Sequence, residues 1–215
     1  MALLAAACTT APPQAVTPTP APTTTTAPTS TPAPAELAPQ RVRAATLPAD
    51  ALDRFGVPEA GADSNGQRRQ LPLPCAEPKT TGHQVFGYHV NHFREWKNRG
   101  FQFVHVVTWY QDRTGADAVT KTQDLAQSCR EYVYSTRDTG DHTLKVTAPI
   151  TLPTPPGVSA AYTYCEDNGT THACWALLGH DDLTSTLTTF AATRDQSLTL
   201  LSEMLPAAAE LLTKA

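Results

Sequence analysis

The run from Phe101 to Cys129 constrains what this chain can fold into more than any other stretch. In FQFVHVVTWY, Phe101, Phe103, His105, Val107 and Trp109 fall on one face at period two and Val104, Val106 and Tyr110 on the other, so a strand here has cover on both faces. That is the pattern of a central strand. Thr114-Gly-Ala-Asp117 then reads as a capping box, the Thr hydroxyl and Asp carboxylate satisfying free N–H groups at a helix start. In the helix that follows, Ala118, Val119, Thr122, Leu125, Ala126 and Cys129 share one face, which sets Cys129 against the sheet. The predicted unit is a strand with a helix folded back on it and a cysteine placed to pin it.

Around this unit, residues 46–56 read as a short helix with Leu52 and Phe55 inward, ended by Gly56. Residues 61–70 read as an exposed polar loop, 71–75 as an extended proline-containing segment, and 85–93 as a strand. Trp96 and a turn at 97–100 lead into the central strand. Beyond Cys129, short strands are expected at 132–134 and 142–148, then a surface crossing at 149–157 with four prolines. A hairpin follows, 161–165 with 174–179, its returning arm prolonged by 183–190 through a turn at His180-Asp-Asp182. The chain closes with an amphipathic helix that buries Leu201, Met204, Leu205, Ala208, Leu211 and Leu212 and that Pro206 is expected to kink. The predicted class is α+β, one antiparallel sheet of five or six strands with two main helices packed on one side.

Ahead of this domain, assigned to residues 46–215, the chain cannot join a core. Residues 9–45 are almost entirely Thr, Pro, Ala and Ser, too poor in apolar surface to offset the entropy of folding, and are expected to be a disordered spacer. At about 3.1 Å per residue its reach when extended is on the order of 100 Å. Residues 1–8, MALLAAAC, resemble the lipobox of a bacterial lipoprotein, in which the cysteine carries lipid and becomes the new N-terminus. The resemblance implies a lipid on Cys8 and a membrane anchor outside the cytoplasm. Ala5 stands where that motif usually has Leu, and no Lys or Arg precedes Arg41, so the alternative is a free thiol on an ordinary disordered tail. A formal charge of −4 with no long basic run argues against nucleic acid as a partner.

Setting Cys8 aside leaves Cys75, Cys129, Cys165 and Cys174, none at the CxxC spacing of a zinc or redox site. With a four-residue loop at 168–171, hairpin register sets Cys165 opposite Cys174; a two-residue turn at Asn168-Gly169 would instead set it opposite His172. Two disulfides are expected, Cys165 to Cys174 and, by elimination, Cys75 to Cys129.

The order of these parts resembles the PknH-like extracellular sensor domain of actinobacteria. The resemblance lies in TLPADAL opening at Thr46, a strand and helix ending in Cys129, a later hairpin bearing Cys165 and Cys174, and a closing leucine-rich helix. The Trp-x-x-Cys spacing associated with the family's first helix is replaced by Leu125-Ala-Gln-Ser-Cys129. The resemblance implies an antiparallel sheet with helices and two disulfides, borne on receptor kinases or on free lipoproteins.

Residues that suit chemistry are few. His89 and His92 lie three apart on an expected strand and so point to opposite faces, which argues against a shared metal. His105 on its apolar face is either a buried, backbone-bonded histidine or a ligand contact. Trp96, Trp109 and Trp175, with Tyr162 and Tyr164, are either core or the lining of a cleft; His105, Trp109 and Trp175 are the candidate ligand residues. No Gly-x-Ser-x-Gly elbow, P-loop or paired-glycine fingerprint is present. The expectation is a non-enzymatic envelope lipoprotein without metal or cofactor, binding a small molecule, lipid or cell-wall ligand. The alternatives are an envelope hydrolase with a metal or Ser/His/Asp site, or a module that regulates another envelope protein.

Overall fold

In the computed structural model of the chain, the residues described are 35–64, 72–75, 82–136 and 140–215. The lipobox, Cys8 and the spacer through residue 34 lie outside them, as does most of the expected loop at 61–70. Eight antiparallel strands form one sheet: β1 (Glu59–Ser64), β2 (His89–Lys97), β3 (Phe101–Tyr110), β4 (Glu131–Thr136), β5 (Gly140–Val146), β6 (Ala160–Asp167), β7 (His172–His180) and β8 (Leu183–Ala191). Their order across the sheet is β1-β2-β3-β8-β7-β6-β5-β4. The helices are α1 (Ala38–Ala44), α2 (Gly82–Phe86), α3 (Gly115–Ser128) and α4 (Arg194–Lys214).

As its two-sided pattern requires, β3 is interior, between β2 and β8, with every residue from Phe103 to Tyr110 buried. The expected five or six strands become eight. Residues 59–64, of which 61–64 belong to the expected polar loop, pair with β2 as an edge strand, where one free side and few apolar residues suffice. The segment expected as a strand from Val85 divides instead: Val85 and Phe86 end α2, Gly87 turns the chain at φ 76°, and β2 runs from His89 through Trp96.

The two main helices lie on opposite faces, correcting the one-sided packing. One core joins α1 and α4 to Trp96, Phe103, Val107, Trp109, Ala176, Leu178 and Leu187; the other joins α3 to Tyr110, Tyr162, Tyr164 and Leu177. The topology compels this. From the end of β3 the chain must reach β4 at the far edge, and α3 makes that crossing over β8, β7 and β6. The return through β5 to β8 leaves the opposite face to α4. The Thr114–Asp117 capping box forms as read, and α3 begins so close to the β7–β8 turn that a Cβ on Gly115 would overlap the Leu183 carbonyl. Helix α4 continues through Pro206, which is exposed.

Two further expectations change. The folded unit begins ahead of Thr46: α1 falls within the stretch assigned to the spacer, and its Ala38 and Val42 are fully buried. Pro39 sits in its first turn, where a missing N–H costs no hydrogen bond. Leu52 is buried and Gly56 adopts the left-handed φ of 66°, but the segment between them is a 3-10 turn and Phe55 points outward, 38% exposed.

Both disulfides are present, Cys75–Cys129 and Cys165–Cys174. The β6–β7 hairpin closes on Asp167 opposite His172, giving the four-residue loop that sets Cys165 against Cys174. The Cys165 N–H and carbonyl are both spent on Thr147, so the pair is the narrow, non-hydrogen-bonded kind, with Cα atoms 4.0 Å apart.

Candidate functional site

The sequence candidates do not assemble into one wall. His105 and Trp109 share the α4 face, whereas Trp175, opposite Thr188 and Tyr164, lies on the α3 face. No cleft joins the three. His105 is fully buried, accepting the Leu47 N–H at Nδ1 (3.0 Å) and lying 2.7 Å from Ser185 Oγ at Nε2.

A serine that close to an imidazole suggests an activated nucleophile, but the proton is on the wrong side. Because Nδ1 accepts, Nε2 carries the hydrogen and donates to Ser185, leaving no lone pair to take the hydroxyl proton. Burial, then His92 and Arg94, lower the His105 pKa to about 3, so the ring stays neutral. Ser185 is also fully buried, out of reach of any substrate.

Trp109 is likewise structural. Its indole N–H donates to Asp182 Oδ2 at 2.6 Å, and Arg41 Nη1 stands 2.8 Å from each oxygen of that carboxylate. Arg41 Nε donates to the carbonyl of Ala215. This tie fastens α1, the β7–β8 turn, β3 and the end of α4 together. Trp96 donates its indole N–H to the Ala49 carbonyl beneath the same core.

Trp175 belongs to an aromatic row across β6, β7 and β8: Tyr162 stacks on Tyr164, Tyr164 on Trp175, and Trp175 meets Phe190 edge-on. At its end is Glu166, 3% exposed, accepting from Tyr132 OH at 2.9 Å. Burial raises its pKa to about 7, against the opposing pull of Tyr132, Trp175 and Tyr164. The Tyr162 and Tyr164 hydroxyls and Trp175 Nε1 are buried without hydrogen-bond partners; the last two approach the carboxylate without reaching bonding geometry. Glu166 reads from sequence as an ordinary hairpin residue, and only the register that turns it under α3 reveals it.

An open cavity of about 530 Å³ lies elsewhere, at the end of the sheet. Its walls are Phe55, Phe101, Ala191 and Leu200, with Asn98, Asp195, Gln196 and Thr199 as polar neighbours. The register Phe101↔Ala191 brings the β2–β3 turn beside the end of β8, and Thr193, accepting the Gln196 N–H, starts α4 against both. Asn98 Oδ1 accepts the N–H groups of Gly100 and Phe101, so its NH2 is the part left to donate. Sequence reasoning missed this place because Phe55 was assigned inward. Among the described residues no cluster of three metal-ligating side chains occurs, and no helix is long and apolar enough to cross a membrane.

No model of a known protein family matches the chain, and no characterised protein matches it in sequence. In three dimensions it resembles the extracellular domain of PknH from Mycobacterium tuberculosis, with a TM-score of 0.59 over 83% of this chain and 97% of that domain, at 13% identity. The fold of the chain is therefore PknH-like.

Proposed function

We propose that the chain is an extracytoplasmic lipoprotein whose folded domain captures or senses a ligand at the cell envelope and catalyses no reaction. The observation that carries this is a fold shared, over nearly the whole of the neighbouring domain, with an extracellular domain. Two disulfides support it, since such bonds persist in oxidising compartments. A lipid on Cys8 would hold the protein to the membrane and the Thr/Pro-rich spacer would carry the domain outward. Binding is favoured over hydrolysis because His105 and Ser185 are buried in the reversed proton arrangement, while an open, largely apolar cavity of ligand size stands at the end of the sheet.

Native mass spectrometry of the full chain, made in an actinobacterial host, tests both halves. A covalent lipid mass should survive denaturation and vanish in Cys8→Ala, and a second, non-covalent mass should be lost on denaturation. A Cys8→Ala variant with the parent's covalent mass would overturn the anchor; a chain with no non-covalent adduct would overturn ligand capture.

A further inference from the structure

We infer that the gap between β6 and the proline-containing crossing at 149–157 takes a short extended peptide, held through its main chain as one further strand. β6 loses its neighbour part-way along. β5 pairs with it only at Asp167 and Glu166. The chain beyond β5 follows that edge for two more bonds, Thr147 N–H to the Cys165 carbonyl at 2.8 Å and Ile150 N–H to the Thr163 carbonyl at 2.9 Å. It then turns away and rejoins the sheet at Ser159, whose N–H donates to the Gly179 carbonyl. Because backbone groups alternate sides along a strand, Ala161 points its own away from β7 as Cys165 and Thr163 do. Three groups are left on this edge: the Thr163 N–H, the Ala161 N–H and the Ala161 carbonyl have no hydrogen-bond partner among the described residues. Ala161 is exposed, but Thr163 is only 6% exposed, and a buried backbone N–H is rarely left unpaired.

These groups line a cavity. About 190 Å³ of space lies between them and residues 150–154, floored by Leu178 and Leu205. The residues lining it carry no charge, so a charged head would find no partner there. A donor and an acceptor on one residue, at the edge of a sheet, are what an extended main chain complements. The volume is below that of a drug-sized site and suits one residue with its flanking amides. A residue opposite Ala161 would donate its N–H to the Ala161 carbonyl and accept the Ala161 N–H, and a carbonyl two residues earlier would accept the Thr163 N–H. Its side chain, on the Ala161 face, would rest on Leu178 and Leu205, which asks for an apolar residue. Ile150, bonded to Thr163, closes that end of the gap. The site lies apart from the cavity at the end of the sheet and needs nothing of it.

Titration of the isotope-labelled full chain with the capped tripeptide acetyl-Ala-Val-Ala-amide, followed by proton–nitrogen correlation spectra, tests the inference. The Ala161 and Thr163 amide protons should move downfield and saturate. The same tripeptide methylated on the valine nitrogen lacks the donor for the Ala161 carbonyl and should bind about tenfold more weakly, the worth of one main-chain hydrogen bond. Ala161→Pro removes an outward N–H that serves no ladder bond, so the fold should tolerate it, with the Leu178 and Gly179 amides unmoved, while the tripeptide again loses about tenfold. Ala161 and Thr163 amides that stay in place up to the tripeptide's solubility limit would overturn the site, whatever fills the cavity at the end of the sheet. Equal binding of the methylated tripeptide would overturn main-chain recognition, and undiminished binding to Ala161→Pro would overturn the place.

Discussion

Glu166→Gln should change how the domain's stability depends on pH, by an amount that follows from two buried groups pulling in opposite directions. Glu166 has its pKa raised from 4.5 to about 7, so the folded chain binds the extra proton between those values and stability falls as pH rises through them. At about 1.4 kcal/mol per unit, the cost of holding the buried carboxylate ionised above pH 7 is about 3 kcal/mol. His105 has its pKa lowered from 6.5 to about 3, so the unfolded chain binds the extra proton and stability falls as pH drops below 6.5. Between pH 4.5 and 6.5 the two slopes are equal and opposite, and the parent curve should be nearly flat as far as these groups set it. Gln fills the same space, still accepts from Tyr132, and does not titrate. The variant should therefore lose about 3 kcal/mol between pH 6.5 and 4.5 through His105 alone, and be more stable than the parent at pH 8. Urea denaturation at fixed ionic strength at pH 4.5, 5.5, 6.5 and 8 measures both curves. Superimposable pH profiles would refute the reasoning, because Glu166 would then titrate alike in the folded and unfolded chain.

Gly179→Ala should destabilise by about 2 kcal/mol or more, since the new methyl would stand 2.7 Å from backbone atoms of Gly115 and Ala116 that cannot move aside; a melting temperature like the parent's would count against the close helix approach. Asp182→Ala strands the Arg41 charge and the Trp109 N–H together and should cost about 3 kcal/mol by denaturant titration, with Arg41→Met partly restoring the double variant. On the chain-entropy model, losing the Cys165–Cys174 bridge should cost about 2.7 kcal/mol and losing Cys75–Cys129 about 4, so equal losses in the two double-alanine variants would show that strain or residual structure dominates.

Much of the fold was legible because it is written locally. Period two in β3, the Thr114–Asp117 box, the face of α3 and the loop length between Cys165 and Cys174 each fix a feature within a few residues of its signal. The failures are tertiary. Ala38 and Val42 sit in a segment of low complexity, and only the packing of α1 on β2 and β3 rescues them from the spacer. The edge strand β1 lacks the alternation of a buried strand because one side needs no partner. Phe55 points outward because the tight 3-10 turn ending at Gly56 gives Leu52 the inward place.

The candidate site was harder to see, for a reason of parity. Cys165 opposite Cys174 already implies that Trp175, one residue on, faces away from the bridge. Whether the bridge faces His105 depends on β3 pairing with β8, which sets His105 against Leu187, and on β7 returning through Asp181 and Asp182, which sets Leu187 against Ala176. A turn one residue longer or shorter would have flipped every side chain of β7 relative to β8 and brought Trp175 to the side of His105 and Trp109. Asp181 at φ 46° and the buried Asp182 carboxylate, held by Trp109 and Arg41, fix the turn at that length. The tie that secures this parity also commits Trp109 to the core. The larger cavity lies apart from this tie, at the end of the sheet where Phe101 meets Ala191 and α4 begins, and no local pattern could bring Phe55, Phe101 and Leu200 together there.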